Sequence, residues 1–348
     1  MVDIKTFDKN ELAEEFKSMG LPGFRAGQVY DWMHVKLVRD FDEMTNIPLS
    51  LREALKEKYE FTKLKVARVQ ESKIDSTKKF LFELGDGNFI ESVWMQYHHG
   101  NSVCISSQVG CKMGCRFCAS TLDGFLRNLS AAEMLEQIYE ITRQTGERVS
   151  NVVVMGTGEP MDNYDNLVKF IRLLTCKEGL NISQRNVTVS TCGLVPKMKQ
   201  FADENLQVTL ALSLHAPNDE KRRELMPIAN KYSIAECLEA CDYFFEKTKR
   251  RVSFEYSLVA GVNDNETEAD ELIRLLKPHN GHVNLIPVNP IKERDYKRSD
   301  REKILAFQNR LEKNGINVTI RREMGRDIDG ACGQLRRRHK EESSGVNE

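Results

Sequence analysis

An α/β fold built on a parallel sheet is what the sequence predicts from about residue 101 onward, and three observations predict it. Short apolar runs read as buried strands at 103–108, 151–156, 186–191, 207–214, 252–259 and 282–287, with a seventh at 317–322. Helix-start signatures fall between them. Ser130 with Glu133, Ser233 with Glu236 and Ser299 with Glu302 have capping-box spacing, and Asn163 and Asn265 are further N-cap candidates. Alternation of strand and helix implies parallel neighbours, because parallel strands need crossover connections. An open doubly wound sheet and a full or partial barrel both satisfy this pattern. No G-x-G-x-x-G follows the first strand, which weighs against a dinucleotide-binding sheet.

The N-terminal part reads differently. Leu12, Phe16 and Met19 recur at helical spacing, as do Val29, Trp32, Met33 and Leu37, and then Leu51, Leu55 and Tyr59; Leu21-Pro22-Gly23 breaks the first pattern. Residues 61–97 alternate like strands, in VARVQ, KKFLFEL and FIESVWMQY, with Gly85-Asp86-Gly87 as a hairpin-type turn. The expected organisation is a helical accessory domain over 1–60, a strand-rich connector over 61–100, an α/β core over 101–335 and a polar, frayed tail over 336–348.

Composition narrows the class. With 348 residues, 40% hydrophobic and 30% charged, the chain has ample material for a buried core and is neither disordered nor collagenous as a whole. No apolar run approaches the roughly 18 residues of a membrane span, and the charged N-terminus lacks the apolar core of a signal peptide, so the expectation is a cytoplasmic protein. The net charge of -1 is a cancellation. Residues 1–60 hold 9 basic and 12 acidic side chains, residues 62–79 hold 6 and 2, and residues 291–340 hold 15 and 8. The two basic stretches predict a phosphate-tracking surface.

Nine cysteines in a reducing compartment point to metal ligands, nucleophiles or buried apolar residues rather than a disulfide framework. Cys111, Cys115 and Cys118 fall within eight residues as C-x3-C-x2-C, in the loop after the first core strand. Thiolates suit zinc or iron–sulfur. A structural zinc needs four ligands, for which His98, His99 and Cys104 are the nearest candidates. Three ligands suit a [4Fe–4S] cluster with one iron left for a small molecule.

At these cysteines the chain resembles the radical S-adenosylmethionine (SAM) enzymes, and within them the RlmN/Cfr group of RNA adenine methyltransferases. The segments that carry the likeness are VCISSQVGCKMGCRFCAS (103–120), VVVMGTGEPMDN (152–163), VSTCG (189–193), LSLHAPND (212–219), LIPVNP (285–290) and DIDGACGQL (327–335). The resemblance covers nearly the whole chain and implies a partial (β/α)6 radical SAM barrel. It implies one [4Fe–4S] cluster per chain on Cys111, Cys115 and Cys118. It also implies SAM contacts at Gly158, Glu159, Ser190, Ser213, Leu214, His215 and Asn289, all at or after strand ends, where a barrel gathers its ligands. Thr157 departs from the group's G-M-G-E-P, but the glycine and glutamate remain. Cys176, Cys192, Cys237 and Cys241 match no role in the group; Cys237 and Cys241, four apart, should share the apolar face of one helix.

The implied chemistry follows from the electron-poor carbon 2 of adenine, which cannot attack a methyl sulfonium. Two SAM molecules are consumed per methylation. One methylates Cys332; the reduced cluster cleaves the other to a 5′-deoxyadenosyl radical, which activates the S-methyl group for addition to adenine. Glu91 matches the general base, and Cys104 the thiol that releases product by closing a disulfide with Cys332. The implied substrates are adenosine 2503 of 23S rRNA and adenosine 37 of tRNAs. The implied partners are an electron donor such as flavodoxin or ferredoxin, with the enzyme a monomer. Two other readings remain open: C8 methylation of the same rRNA adenosine, against which Pro160 after Glu159 argues, and a zinc-stabilised RNA-binding protein without catalysis.

Overall fold

A computed structural model describes residues 1–98, 100–290, 295–328 and 334–344. Helices α1 (Lys9–Ser18), α2 (Gly23–His34) and α3 (Leu49–Lys58) form where the helical periodicity lies. Asp8 starts α1 with a capping box, its carboxylate accepting the Glu11 N–H at 2.8 Å while Glu11 accepts the Asp8 N–H at 2.7 Å. Leu12, Phe16, Val29, Met33, Leu51 and Leu55 bury together as a core of their own.

Strands β1 (Lys65–Glu71), β2 (Lys78–Glu83) and β3 (Phe89–Tyr97) follow, antiparallel, and β3 pairs antiparallel with β4 (Gly100–Cys104). Gly87, at φ +78°, makes the expected turn between β2 and β3. From β4 the sheet turns parallel through β5 (Val149–Val154), β6 (Val187–Thr191), β7 (Thr209–Ser213), β8 (Val252–Leu258), β9 (Gly281–Pro287) and β10 (Val318–Ile320). The ten strands lie side by side in chain order, and β1 and β10 are the open edges. This is the partial barrel, extended on one side by the antiparallel connector.

Helices α4 (Ala131–Thr145), α5 (Tyr164–Thr175), α6 (Val195–Asp203), α7 (Asp219–Leu225), α8 (Ile234–Thr248), α9 (Glu266–Leu276) and α10 (Arg301–Lys313) occupy the crossovers. Leu135, Phe170, Phe201, Phe244, Leu272 and Phe307 pack from these helices onto the strands in one continuous core. Ser130 and Ser233 cap α4 and α8 as the spacing predicts. Ser299 does not cap α10: Asp300 does, its side chain accepting the Lys303 N–H at 2.8 Å, and Ser299 is buried one residue earlier. An aspartate three residues before a free N–H outcompetes a serine one position too early. Asn163 precedes α5 but caps no helix N–H: its amide donates to the Ser107 and Leu129 carbonyls, at 2.9 and 2.7 Å, and its oxygen accepts from the Asn166 side chain at 2.8 Å. The described part of the stretch read as a frayed tail, 336–344, belongs to α11 (Gln334–Ser344).

The N-terminal helices dock on α4 through a polar stripe. Glu136, Tyr139, Glu140 and Arg143 recur at i, i+3, i+4 and i+7, the spacing of one helix face. Lys5 Nζ lies 2.5 Å from Glu136, both fully enclosed; Arg39 pairs with Glu140 at 2.9 Å, and Arg143 donates to the Leu37 carbonyl at 2.7 Å. His34 Nδ1 lies 2.6 Å from the Tyr139 hydroxyl. Burial holds the His34 imidazole neutral, lowering its pKa from 6.5 to about 3. The unfolded chain therefore binds the extra proton between those values, and folding stability falls as pH is lowered from about 6.5 toward 3. The urea unfolding midpoint should drop across that window, and His34→Gln should flatten the drop. An equally steep pH dependence in the variant would contradict this account of His34.

Candidate active site

Parallel strands joined by crossovers end on one edge, so the loops beyond β4 to β9 converge. They enclose a cavity of about 610 Å³ whose wall includes Gly156 and Gly158 after β5, Ser190 in β6 and Cys192 just after it, Ser213 in β7 and His215 just after it, and Asn289 after β9.

The turn after β5 allows no side chain at its glycines. A Cβ on Gly156 would stand 2.6 Å from the Ile105 carbonyl oxygen, and one on Gly158, at φ +113°, would stand 2.6 Å from Gln108 Cβ. Thr157 is buried, and its carbonyl accepts the Ser107 and Gln108 N–H groups at 2.9 and 3.1 Å. Gln108 accepts the Glu159 N–H at 2.8 Å and donates to Asn128 and Asp162 at 2.8 and 3.0 Å. Glu159 is itself buried. One carboxylate oxygen accepts the Met161 N–H at 3.1 Å and the other the Cys192 N–H at 2.8 Å, joining the end of β5 to the end of β6. Burial raises its carboxyl pKa, against the pull of those N–H donors.

His215 has φ +58°, and its Nδ1 accepts the Ser257 N–H at 2.9 Å. The ring proton therefore sits on Nε2, making the imidazole a donor on the cavity wall. Burial, and then the charge of Arg222, bring its pKa down to about 3. Arg222 is fully enclosed behind this wall. It donates to the Cys192 carbonyl at 2.7 Å and to the Leu214 and Ser213 carbonyls at 3.2 Å each. Among the described residues no carboxylate stands within salt-bridge distance of it. Its Nη1 also donates to Cys237 Sγ at 3.9 Å. A buried cation held by backbone carbonyls and a distant thiol is invisible to sequence periodicity, where RRE in α7 reads as a solvated face.

The cysteine loop is folded by its backbone. A Cβ on Gly110 would fall on the Gly124 carbonyl oxygen, at 1.9 Å, and that carbonyl accepts the Cys111 N–H at 2.9 Å. Arg116 donates its N–H to the Leu225 carbonyl at 2.9 Å, and Cys118 to that of Cys115 at 3.2 Å. Cys111, Cys115 and Cys118 all line the cavity. Burial pushes the Cys111 thiol up to about 12 and Cys115 well above its ordinary value, and the neighbouring thiols act in the same direction. Such clustered, desolvated sulfurs call for a cation, and their all-thiol character fits an iron–sulfur cluster. Among the described residues no three His, Cys, Asp or Glu side chains stand close enough together to meet a single ion. The ligands of a cuboidal cluster each meet a different iron.

The remaining sequence candidates divide. Cys104, Gly158, Glu159, Ser190, Ser213, His215 and Asn289 line the same cavity as the cysteine triad. Leu214 does not: its side chain is in the core, and its N–H donates to the Glu255 carbonyl at 3.0 Å. Glu91 is buried and is not part of the cavity lining. One oxygen is 3.0 Å from Lys79 Nζ and the other accepts the Arg336 N–H at 2.5 Å. Cys332 lies outside the described residues, although Ile328 and Gln334 on either side of that segment line the cavity. Glu255 was not anticipated. It also lines the cavity, buried, accepting from Ser253 and Asn284 at 2.7 and 2.8 Å, and burial raises its pKa. Its signal was an acid inside the apolar run VSFEYSLV. Cys237 and Cys241 share the buried face of α8 as expected. No disulfide joins any two of the eight described cysteines.

The basic stretches are less free than their totals. Lys63, Lys65, Arg68, Lys78 and Lys79 each stand within salt-bridge distance of a carboxylate. Arg298 and Arg326 both pair with Glu323. Arg321 and Arg322 are exposed at the cavity mouth with no carboxylate at salt-bridge distance among the described residues. No helix among the described residues is long and apolar enough to cross a membrane.

Comparison with known proteins places these observations. The Radical SAM superfamily model matches residues 105–276, and the model of the ribosomal RNA large subunit methyltransferase N-terminal domain matches residues 2–61. A crystal structure of a radical SAM methyltransferase from Sphaerobacter thermophilus superposes with a TM-score of 0.92 at 42% identity, covering 96% of this chain and 99% of that one. Fold and site thus define the class, the radical SAM methyltransferases. The probable dual-specificity RNA methyltransferase RlmN of Lachnospira eligens is 65% identical over 98% of both chains. That of Lachnoclostridium phytofermentans is 63% identical over 98% of this chain and 96% of its own. The chain belongs to the RlmN family of radical SAM RNA methyltransferases.

Arg222 supplies the test of the frame. Arg222→Leu leaves buried carbonyls at Cys192, Ser213 and Leu214 without donors, and should lower unfolding stability by about 2–4 kcal/mol. Urea denaturation should show the loss. A change below about 0.5 kcal/mol, the range of an ordinary surface substitution, would show that the guanidinium is not a brace.

Proposed function

We propose that the protein methylates carbon 2 of adenosine 2503 in 23S rRNA and of adenosine 37 in tRNAs. The observation that carries this reading is one cavity lined by the three loop cysteines, by Cys104 and by the Gly158–Glu159 turn together. The name of the relatives at 65% and 63% identity, dual-specificity RNA methyltransferase, supports RNA as substrate and more than one target. Cys111, Cys115 and Cys118 would hold a [4Fe–4S] cluster, which when bound supplies the one-electron reduction that cleaves SAM.

The chain's own residues do the rest. Glycine at 156 and 158 lets the turn pack directly against Ile105 and Gln108, which sets Gly158 and Glu159 on the cavity wall. Glu159, tied by two N–H groups, presents a fixed negative edge suited to the amino group of SAM, and the Nε2–H of His215 presents a fixed donor. Ser190 and Ser213, with their hydroxyl oxygens 3.4 Å apart, and Asn289 offer further polar contacts. Cys332 serves as the methyl carrier and Cys104, on the cavity wall, as the thiol that closes on it to release product. Glu91 serves as base once its carboxylate is released from the Arg336 N–H. The site consumes two SAM per methylation and takes its electron from a carrier of the flavodoxin or ferredoxin type. The protein works as a cytoplasmic monomer.

Anaerobic reaction with an rRNA fragment, SAM and a reductant should yield 2-methyladenosine on nucleoside mass spectrometry, with tRNA as a second substrate. Recovery of 8-methyladenosine instead would move the chemistry to C8. Cys332→Ala should give no methylated adenosine; normal methylation by that variant would falsify the carrier role.

RNA affinity should fall with salt, and Arg322→Ala should reduce the log–log slope by about 1, the loss of one phosphate contact. An unchanged slope would remove Arg322 from the RNA surface.

A further inference from the structure

Lys79 is the last basic residue of the stretch over 62–79, where its charge counts toward an RNA surface. The fold encloses it completely instead. It stands in β2 directly opposite Val93 of β3, and Val93 stands directly opposite Cys104 of β4. Residues opposite one another in neighbouring strands share a face of the sheet, so Lys79, Val93 and Cys104 form one row across three strands. Glu91 lies two residues before Val93, opposite Leu81, and so belongs to the same face. Val93, Met95 and Cys104 of that face line the cavity. Lys79 Nζ lies 3.0 Å from Glu91 Oε2, which places a buried ion pair one strand away from the wall that carries Cys104.

Two charges are costly in this position. Their neighbours on the face, Leu81, Val93 and Met95, are apolar and buried. Removing an ammonium and a carboxylate from water is repaid only in part by their attraction, and two well-packed apolar side chains would fill the same space with no loss of stability. A carboxylate alone among such neighbours is driven to the neutral form, whereas a cation in contact favours the ionised form, the form able to accept a proton. The other Glu91 oxygen accepts the Arg336 N–H at 2.5 Å. Arg336 is itself buried, and its guanidinium donates to Asp123 at 2.7 Å. Glu91 thus receives a neutral peptide donor on one oxygen and the charge of Lys79 on the other.

We propose that Lys79 is a positioning residue for the methylation, whose ammonium keeps Glu91 ionised and fixed for removal of the adenine C2 proton. In that step the C2–H bond breaks, the proton passes to the Glu91 carboxylate, and the electron pair stays with the adenine ring. Lys79 gives up no proton and forms no bond to substrate. It acts through Glu91 alone, so the earlier steps, methyl transfer to the carrier cysteine and cleavage of SAM, proceed without it. The proposal rests on the reading of Glu91 as the base.

The test is single-turnover reaction of the full chain, reconstituted anaerobically with iron and sulfide, with SAM, a reductant and an rRNA fragment bearing protium or deuterium at C2 of the target adenosine. Wild type, Lys79→Gln, Lys79→Arg, Glu91→Gln and the double variant Lys79→Gln/Glu91→Gln are compared. Lys79→Gln should slow formation of 2-methyladenosine by about 100-fold, the scale of a general base. Deuterium at C2 should slow that variant more than wild type, and RNA should accumulate in covalent linkage to it, seen as a shifted band in denaturing gels. Methyl on Cys332 and release of 5′-deoxyadenosine should stay at the wild-type level, which a merely structural defect would not allow. Lys79→Arg, which keeps the charge, should recover most of the rate, and the double variant should be no slower than Glu91→Gln. A second measurement needs no Lys79 variant: the infrared difference between wild type and Glu91→Gln should show an ionised carboxylate at neutral pH. A wild-type rate in Lys79→Gln, loss of Cys332 methylation in step with loss of 2-methyladenosine, or a protonated carboxyl in the infrared difference would overturn the proposal. A wild-type rate in Glu91→Gln would instead overturn the reading of Glu91 as base.

Discussion

The peptide of Cys192 is the point at which the site is tied together. Its N–H is held by the buried carboxylate of Glu159 and its carbonyl by the buried guanidinium of Arg222. Strand ends in a parallel sheet leave backbone groups that no further strand satisfies, and enclosing them in a cavity wall is costly unless side chains take their place. Glu159 joins the end of β5 to β6. Arg222 joins β6 to the end of β7. His215 joins β7 to β8 through the Ser257 N–H. These interactions make a continuous polar belt around the inner edge of the barrel. A charged group embedded in such a belt cannot shift without exposing several unsatisfied partners, so the wall facing the cavity is rigid before any ligand arrives.

The rest of the cavity wall is held in another way. The residues that close the cavity opposite the belt come from the segment after β10 and from the start of α11, and they are attached by point contacts. Ser72 and the Lys73 N–H hold Asp327, at 2.5 and 2.7 Å, and Asp75 holds the Gly325 N–H at 2.8 Å. The antiparallel connector, an extra three strands on the edge of the barrel, supplies these contacts from the turn between β1 and β2.

What could be read from the sequence was what depends on local chemistry. The cysteine spacing, the capping boxes of Ser130 and Ser233, the glycine turn before Glu159 and the strand alternation all act within a few residues, and the structure shows them as written. What could not be read depends on partners far along the chain. Glu91 resembles a solvated strand acid until Lys79 and α11 cover it. The basic run over 62–79 resembles an RNA surface until Asp40, Glu83 and Glu342 are seen beside it. Arg222 and Arg336 lie in charged stretches whose polarity suggests solvent, yet both are buried because the partners that satisfy them are backbone carbonyls and a distant aspartate. Ser299 was displaced by its own neighbour, a one-residue ambiguity that only the geometry of the first turn resolves.

The central claim is that Cys111, Cys115 and Cys118 hold an iron–sulfur cluster in the cavity that also binds SAM beside Glu159. X-ray diffraction from crystals of the anaerobically reconstituted protein soaked in SAM, with anomalous data at the iron and zinc edges, tests it most directly. The account predicts an iron signal next to the three cysteines and SAM density reaching from there along Gly158–Glu159 toward Asn289. A zinc signal at the cysteines, or SAM bound elsewhere with this cavity filled by solvent, would contradict it.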